Sequence, residues 1–150
     1  MKQIVDEKDK KILEILLDNS ELSTHQISRK TLIPVTTVNN RIKKLKKLKV
    51  IKKFTIDIDN RKLGYHLESY ILIRTSLKEL KEVKMSMNDL IKLIRKNPDI
   101  QEINHITGDL DIILKMKVKD INELDDYVVN ILSNYKGVEK TMTAMVLLTQ

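Results

Sequence analysis

The sequence has no cysteine and no tryptophan, and only three glycines, two prolines and one phenylalanine among its 150 residues. Without cysteine it can form no disulfide, thiolate metal site or thiolate nucleophile. Three glycines leave no glycine-rich phosphate loop, and His25, His66 and His105 stand far apart, in no metal-ligand spacing. No apolar run approaches the ~18 residues of a membrane span, and none near the start has signal-peptide length. We therefore expect a soluble, cytoplasmic protein with no cofactor, metal or catalytic residue.

Positive charge is plentiful and unevenly distributed. The net charge is +7, with 14 Lys and Arg against 8 Asp and Glu in residues 1–60, and 14 against 13 in the remainder. No acidic residue lies between Leu22 and Ile56, where ten lysines and arginines fall. A basic segment within a balanced chain is typical of a module that binds a polyanion. Membrane surfaces are also polyanionic, but this segment lacks the Trp-, Phe- and Leu-rich face of an interfacial helix. The pattern favours double-stranded DNA over a membrane.

One helix after Pro34 carries much of this charge. Its apolar stripe consists of Val35, Val38, Ile42, Leu45 and Leu48. The opposite side presents Thr36, Asn40, Lys43, Lys44 and Lys47, flanked by Thr37, Asn39 and Arg41. Short hydrogen-bonding side chains followed by lysines suit a helix whose start meets base edges while its later turns lie along phosphates. A solvated lysine face is the simpler alternative.

Two shorter helices precede this one. Asp6 with Asp9, and Ser23 with Gln26, have the spacing of residues that cap the start of a helix. Pro34 disfavours helical geometry at the residue before it and so separates the second helix from the third. Three helices with a short turn before the basic one predict a helix-turn-helix domain over residues 1–50, to which we add Thr24 as a DNA contact.

The exit segment, residues 51–58, alternates apolar and polar side chains and predicts a strand. Such a strand would form a small wing, making the domain a winged helix-turn-helix. Lys52 and Lys53 would then contact the DNA backbone, although plain solubilising lysines explain them equally well. Residues 51–67 are interpreted as wing strand and linker.

Residues 68–150 predict an α+β domain. Strands are expected near residues 70–73, 100–107, 110–118 and 138–149, with helices opened by Ser86 and Asp120. The order βαββαβ is the ferredoxin-like arrangement, a four-stranded antiparallel sheet with both helices on one face. RNA recognition motifs share this order, but they stack bases on sheet aromatics, and here the strands hold no such aromatic pair.

The sheet face without helices is expected to be apolar. It is formed either by Ile71, Ile73, Ile113, Met145 and Leu147 or by their alternating neighbours. Exposed apolar sheet faces usually mark an interface, so a homodimer through this face is predicted.

The chain resembles the Lrp/AsnC family of feast-or-famine transcription regulators over nearly its whole length. The similar stretches are residues 5–13, residues 38–45 with Val50-Ile51, Thr107-Gly108-Asp109-Leu110-Asp111, and residues 137–143. Their order and spacing together carry the resemblance. It implies a dimer-based assembly, often octameric, with a small amino acid or similar metabolite bound between dimers.

Several positions depart from the family pattern. Leu32-Ile33-Pro34-Val35 stands where the family usually has Gly-Leu-Ser-Pro, so a turn glycine and the usual helix-capping serine are both missing. If the backbone at Leu32 is left-handed, it costs ~1 kcal/mol. Lys46 and Lys49 replace a frequent Glu and a usual Gly, and both raise the positive charge.

The effector site is expected at Gly108, Asp109 and Asp111, with Thr141 and Thr143 on the last strand. Exposed amides at a glycine turn can accept an α-carboxylate, and a nearby Asp can pair with an α-ammonium. A plain Gly-Asp hairpin is the simpler explanation of the spacing alone, and paired catalytic carboxylates are a weaker one. The ligand site follows from the resemblance.

The function expected is a sequence-specific DNA-binding transcriptional regulator that responds to a small amino acid or related metabolite, and not an enzyme. The alternative is a non-specific architectural DNA-binding protein, which would bind its own promoter and random duplex with similar affinity.

Overall fold

The computed structural model describes residues 4–147, and the chain divides into two compact units between Asp57 and Ile58. Within those residues no helix is both long and apolar enough to cross a membrane. Residues 148 and 149, the end of the predicted last strand, lie outside the described part.

The first unit contains three helices, α1 (Glu7–Asp18), α2 (Thr24–Thr31) and α3 (Val35–Lys47). Both predicted capping boxes are present: Asp6 accepts a hydrogen bond from the Asp9 amide and Ser23 accepts one from the Gln26 amide. In return, the side chains of Asp9 and Gln26 accept hydrogen bonds from the backbone amides of Asp6 and Ser23. A buried cluster joins the three helices, formed by Ile12, Ile27, Ile33 and Val38. The predicted helix-turn-helix arrangement is confirmed.

The turn between α2 and α3 holds a strained residue. Leu32 is left-handed, with φ 58°, and its side chain is 90% exposed. An L-residue in this region costs about 1–2 kcal/mol. Pro34 caps α3 without any side-chain hydrogen bond. The turn is held by the burial of Ile33 and by two hydrogen bonds, from the Ser28 hydroxyl to the Ile33 carbonyl at 2.6 Å and from the Ile33 amide to the Thr31 hydroxyl at 3.3 Å.

The predicted wing strand is wrong for this chain. Residues 51–58 form neither helix nor strand, and the large apolar side chains of Phe54, Ile56 and Ile58 are exposed. An alternating pattern gives a strand only where a neighbouring strand accepts and donates its backbone hydrogen bonds, and the described residues supply no such neighbour.

The second unit begins with a 3-10 turn, Asn60–Leu63, and continues with four strands and three helices. These are β1 (Leu67–Thr75), α4 (Leu77–Glu82), α5 (Met87–Ile94), β2 (Ile100–His105), β3 (Ile112–Val118), α6 (Ile121–Asp125) and β4 (Val138–Met145). After α6 the chain stays helical as a π turn over Asp126–Ile131 and a 3-10 turn over Leu132–Asn134. The six-residue α4 is not among the helices that the sequence predicted.

The four strands form one antiparallel sheet in the order β2-β3-β1-β4, which confirms the ferredoxin-like topology. Ile71 and Ile73 are fully buried against the helices. They are the first residues of one of the two sets predicted for the uncovered face, and for both of them that prediction is wrong. Thr143 pairs with Ile71 and Met145 pairs with Ser69, which places Met145 on the helix side as well. Leu147 lies beyond the end of β4.

The alternating neighbours form the open face, the side of the sheet away from the helices. Its apolar centre joins three strands, because Leu72 pairs with Ile113 on β3 and with Met142 on β4. Met142 is 50% exposed and Tyr70 is 39% exposed. Strand alternation assigns the following residues to this face: Glu68, Tyr70, Leu72, Arg74, Glu102, Asn104, Ile113, Lys115, Lys117, Lys140, Met142 and Ala144.

Candidate DNA interface and effector hairpin

One exposed face of α3 carries most of the predicted DNA contacts. Val38 and Leu45 are buried, which turns Thr36, Asn39, Asn40, Lys43 and Lys47 outward. Thr37 and, on α2, Thr24 are half-buried at the margins of this surface, while Lys52 and Lys53 are exposed beyond it. Polar groups thus lead and cations follow along one helix face, the arrangement that the sequence predicted.

Arg41 is turned toward α1 instead of outward. Its Nη1 atom lies 2.7 Å and 2.6 Å from the two carboxylate oxygens of Asp6, and 2.8 Å from Oδ1 of Asp9. Lys44 donates to the second oxygen of Asp9 at 3.2 Å. Asp9 is fully buried and bridges both cations. Two of the predicted DNA-contacting side chains therefore hold α3 against α1.

This ion cluster shifts the protonation of its members. The hydrogen bond from Arg41 lowers the pKa of Asp6 to about 2. Burial opposes ionisation of Asp9, but hydrogen bonds from Arg41, Asp6 and Lys44 outweigh it and lower the pKa of Asp9 below its ordinary value. The carboxylates raise the pKa of Arg41 in turn. All three groups are charged at neutral pH.

The exit segment contacts α3 through a hydrogen bond from the Ile51 amide to the Leu45 carbonyl and through a cation–π interaction. The Lys46 ammonium lies 4.6 Å from the centre of the Phe54 ring. An open groove of about 810 Å³ lies between this segment and the end of α1, lined on one side by Leu13, Leu16 and Leu17. Apolar side chains of the exit segment therefore remain partly uncovered within the first unit.

The carboxylate of Asp111, in the predicted effector hairpin, makes hydrogen bonds within the fold. Its Oδ2 atom accepts hydrogen bonds from the backbone amide and the hydroxyl of Thr75, at 2.7 Å and 2.8 Å. The Asp111 amide donates to the carbonyl of Ile73, and Arg74 Nε donates to the carbonyl of Asp109 at 3.0 Å. The hairpin is thereby fastened to the end of β1, and of its two carboxylates Asp109 is the exposed one.

The turn itself has features that suit an anion. Gly108 has φ 132°, and nothing lies within 4 Å of the place where a Cβ would stand. Among the described residues none accepts a hydrogen bond from the amides of residues 108–110. Free amides in a glycine turn form a small positive concavity that a carboxylate can fill.

Thr141 and Thr143 do not meet the hairpin within one chain. They pair with Ile73 and Ile71, on the opposite side of β1 from β3. Two strand spacings separate them from the hairpin by ~10 Å. A single subunit therefore presents the predicted effector residues in two groups.

Three residues that sequence reasoning did not select as part of a site hold these surfaces in place: Asp6 and Asp9, predicted only as helix caps, and Thr75. Their partners lie 32 to 36 positions away in the chain, and no local spacing signals such contacts. The described residues contain no group of three or more His, Asp or Glu that could hold a metal ion.

Two family models match the chain. The Lrp/AsnC ligand-binding domain matches residues 69–149, and a winged helix-turn-helix DNA-binding domain matches residues 5–52. An HTH-type transcriptional regulator of Pyrococcus furiosus, FL11, is 36% identical over 98% of this chain and 92% of its own length. The FL11 regulator of Pyrococcus horikoshii is 35% identical over 99% and 93%.

Solved structures share the fold. A transcriptional regulator of Neisseria meningitidis in complex with L-Met superposes with a TM-score of 0.86 at 22% identity, covering 96% of this chain and 90% of that one. The AsnC protein of E. coli gives a TM-score of 0.81 at 23% identity, covering 97% and 93%. The relatives identified by sequence are named as regulators and not as enzymes.

The Arg41 cluster should make the packing of the first unit sensitive to acid. The pKa of Asp6 falls from 3.8 to about 2 on folding, so its ionised form stabilises the fold above pH 3.8, and this contribution is lost as the pH falls toward 2. Arg41→Met removes the cause of the shift. We expect the free energy of unfolding to fall less steeply over this pH window in Arg41→Met than in wild type, measured by urea unfolding with circular dichroism.

The matched control is Lys43→Met, which removes an exposed cation of the same helix that makes no ion pair with a described residue. This variant should keep the wild-type pH dependence. Equal pH dependence in wild type and Arg41→Met would show that the cluster contributes nothing to stability.

Proposed function

The chain belongs to the Lrp/AsnC family of transcriptional regulators, and we propose that it is a sequence-specific DNA-binding regulator whose second unit responds to a small amino acid. Residues 1–50 bind DNA in this proposal, 51–67 form the linker, and 68–150 bind the effector and mediate assembly. The observation that carries the proposal is the exposed face of α3, polar in its first two turns and cationic afterwards.

Base recognition is assigned to Thr36, Thr37, Asn39 and Asn40. An exposed carboxamide can donate and accept toward one adenine edge in the major groove, which a lysine cannot do. Lys43, Lys47, Lys52 and Lys53 are assigned to phosphates, which fix position without reading sequence. Arg41 and Lys44 are assigned to positioning α3, because their ion pairs with Asp6 and Asp9 hold this helix against α1.

Substitutions on α3 separate base reading from charge. Asn40→Ala should reduce discrimination among related sites by ~1–3 kcal/mol at the contacted position. Lys47→Ala should weaken binding to all duplexes alike and reduce the slope of log K against log salt by about one unit. The measurement is fluorescence anisotropy with a duplex selected from a random pool and with random duplex, over a series of salt concentrations.

Lys11→Ala, which removes an exposed lysine of α1, is the matched control and should change neither quantity. If Asn40→Ala and Lys47→Ala weakened every duplex equally, the assignment of base reading to the start of α3 would be wrong. Similar affinity of the wild type for selected and random duplex would instead favour an architectural DNA protein.

A homodimer through the open face is the assembly that we propose, and dimers can assemble further toward an octamer. Tyr70, Leu72, Ile113 and Met142 give this face an apolar centre that one subunit leaves uncovered. The exit segment supports assembly as well, because Phe54 and Ile56 leave apolar surface exposed that a second copy would cover. A two-fold axis would present two α3 helices to half-sites about one helical turn apart, or a multiple of it.

A charge at the centre of the open face should prevent dimerisation. We expect Leu72→Glu to sediment as a folded monomer at micromolar concentration, because dimerisation would bury an unpaired carboxylate. Val129→Glu places the same charge at a 53% exposed position on the helical side and should remain dimeric. A wild type that sediments as a stable monomer at this concentration contradicts the proposal.

The effector is proposed to bind at the Gly108 turn. The amides of residues 108–110 would donate hydrogen bonds to its α-carboxylate, and exposed Asp109 would pair with its α-ammonium. Asp111 would hold the turn in place through Thr75. Thr141 and Thr143 would complete the site from a neighbouring subunit, since they stand apart from the hairpin in their own. The Neisseria regulator that shares the fold was solved with L-Met, which supports an amino acid as the ligand class.

Calorimetry against the twenty amino acids tests this site. At least one should release or absorb heat with the wild type, and Gly108→Val and Asp109→Ala should abolish that signal by removing the turn geometry and the ammonium partner. Glu139→Ala, on an exposed position of β4, should leave binding unchanged. No heat from any amino acid, or binding untouched by both hairpin substitutions, would leave the hairpin as a structural element only.

A further inference from the structure

Glu68 connects the open face to the linker of the second unit. Its Oε1 atom accepts a hydrogen bond from Nδ2 of Asn60 at 2.9 Å, and its Oε2 atom lies 2.8 Å from Nζ of Lys115. The side chains of Glu68 and Lys115 are only 21% and 26% exposed. Both oxygens of one carboxylate are therefore engaged, one by the sheet and one by the turn that precedes it.

The turn that Glu68 holds is itself well fixed. Asp59 accepts a hydrogen bond from the Arg61 amide at 3.1 Å, and the Tyr65 amide donates to the Asn60 carbonyl at 3.0 Å. Gly64 closes the turn in the left-handed region, with φ 86°. The Lys117 ammonium lies 4.1 Å from the centre of the Tyr65 ring. Residues 59–65 thus form a compact, hydrogen-bonded turn that is attached to the start of β1.

Glu68 is ionised at neutral pH. The hydrogen bond from Lys115 and the one from Asn60 together lower its pKa, against the opposing effect of burial. A charge-assisted bond to a partly buried carboxylate is stronger than one between exposed neutral groups. The turn that Glu68 holds differs from the exit segment before it. Residues 51–58 have no regular structure, whereas the turn that follows them is fixed by hydrogen bonds.

We infer that Glu68 is a positioning residue that sets the spacing between the two DNA half-sites which a dimer can bind at once. The Asn60–Glu68–Lys115 contact determines where the chain leaves the open face toward the DNA-binding unit. This inference rests on the proposed function, because it requires a dimer that reads two half-sites.

The physical basis is effective concentration. A tether that starts from a fixed point makes the second half-site contact favourable at one spacing and unfavourable at others. If the starting point of the tether is mobile, the two DNA-binding units of the dimer sample a wider range of distances from each other. The affinity for DNA with the preferred half-site spacing then falls, and affinity depends less on the spacing. Affinity for a single half-site does not involve the tether and stays the same.

The experiment uses the full-length protein and a duplex selected by the wild type from a random pool. Base pairs are inserted at the duplex centre one at a time, up to about one helical turn, and a duplex with one half-site destroyed serves as reference. Glu68→Gln removes the charge while keeping the shape, and Asn60→Ala cuts the contact from the side of the turn. Glu82→Gln removes an exposed carboxylate from α4, outside the open face and without touching the turn, and is the matched control.

Glu68→Gln and Asn60→Ala are expected to lose about tenfold in affinity at the preferred spacing, and to show a flatter profile at the other spacings. Their affinity for the single half-site and their sedimentation should match the wild type, and Glu82→Gln should keep the wild-type profile. A wild-type profile in both variants overturns the inference, as does an equal loss on the single half-site or dissociation of the dimer. If the wild type did not prefer its selected duplex over random DNA, the proposed function itself would fail.

Discussion

The central strand β1 imposes the constraint on which the second unit depends. Its two neighbours take up its backbone hydrogen bonds, and strand geometry sends successive side chains to opposite faces up to the register shift between Arg74 and Thr75. One face supplies Ile71 and Ile73 to the core, and the other supplies the apolar centre of the open face. Its ends carry the two anchoring contacts, Glu68 to the linker turn and Thr75 to the hairpin. A change of register by one residue would exchange all of these roles.

Local chemistry made much of the fold predictable. Capping residues three positions apart, an apolar stripe at helical spacing and a proline at a helix start each act within a few residues, and the three helices of the first unit follow from them. The same reasoning reached the βαββαβ order. It could not decide which side chains of β1 face the helices. The run Tyr70-Ile71-Leu72-Ile73 is apolar throughout, so it contains no alternation of polar and apolar residues to distinguish the two faces. Sequence reasoning predicted a strand over residues 51–58 because periodicity cannot show whether a pairing partner exists.

The candidate sites were predictable in composition but not in geometry. The polar and cationic face of α3 follows from helical spacing, whereas the ion pairs of Arg41 with Asp6 and Asp9 join residues far apart in sequence. Likewise, nothing near Asp111 indicates that Thr75 occupies its carboxylate. These contacts also correct the electrostatic picture of the basic segment. Part of its positive charge is neutralised inside the first unit, so fewer cations face DNA than the sequence suggests.

The placement of aromatic residues has a spectroscopic consequence. There is no tryptophan, and all four tyrosines, at positions 65, 70, 127 and 135, belong to the second unit. Tyrosine emission therefore arises from the second unit and reports nothing directly about the DNA-binding helices. Tyr70 stands on the open face and Tyr127 is buried in the core. Emission from Tyr70 is open to quenching by solvent, whereas emission from Tyr127 is protected and serves as an internal reference. The protein carries its own optical reporter for coverage of the sheet, with no label attached.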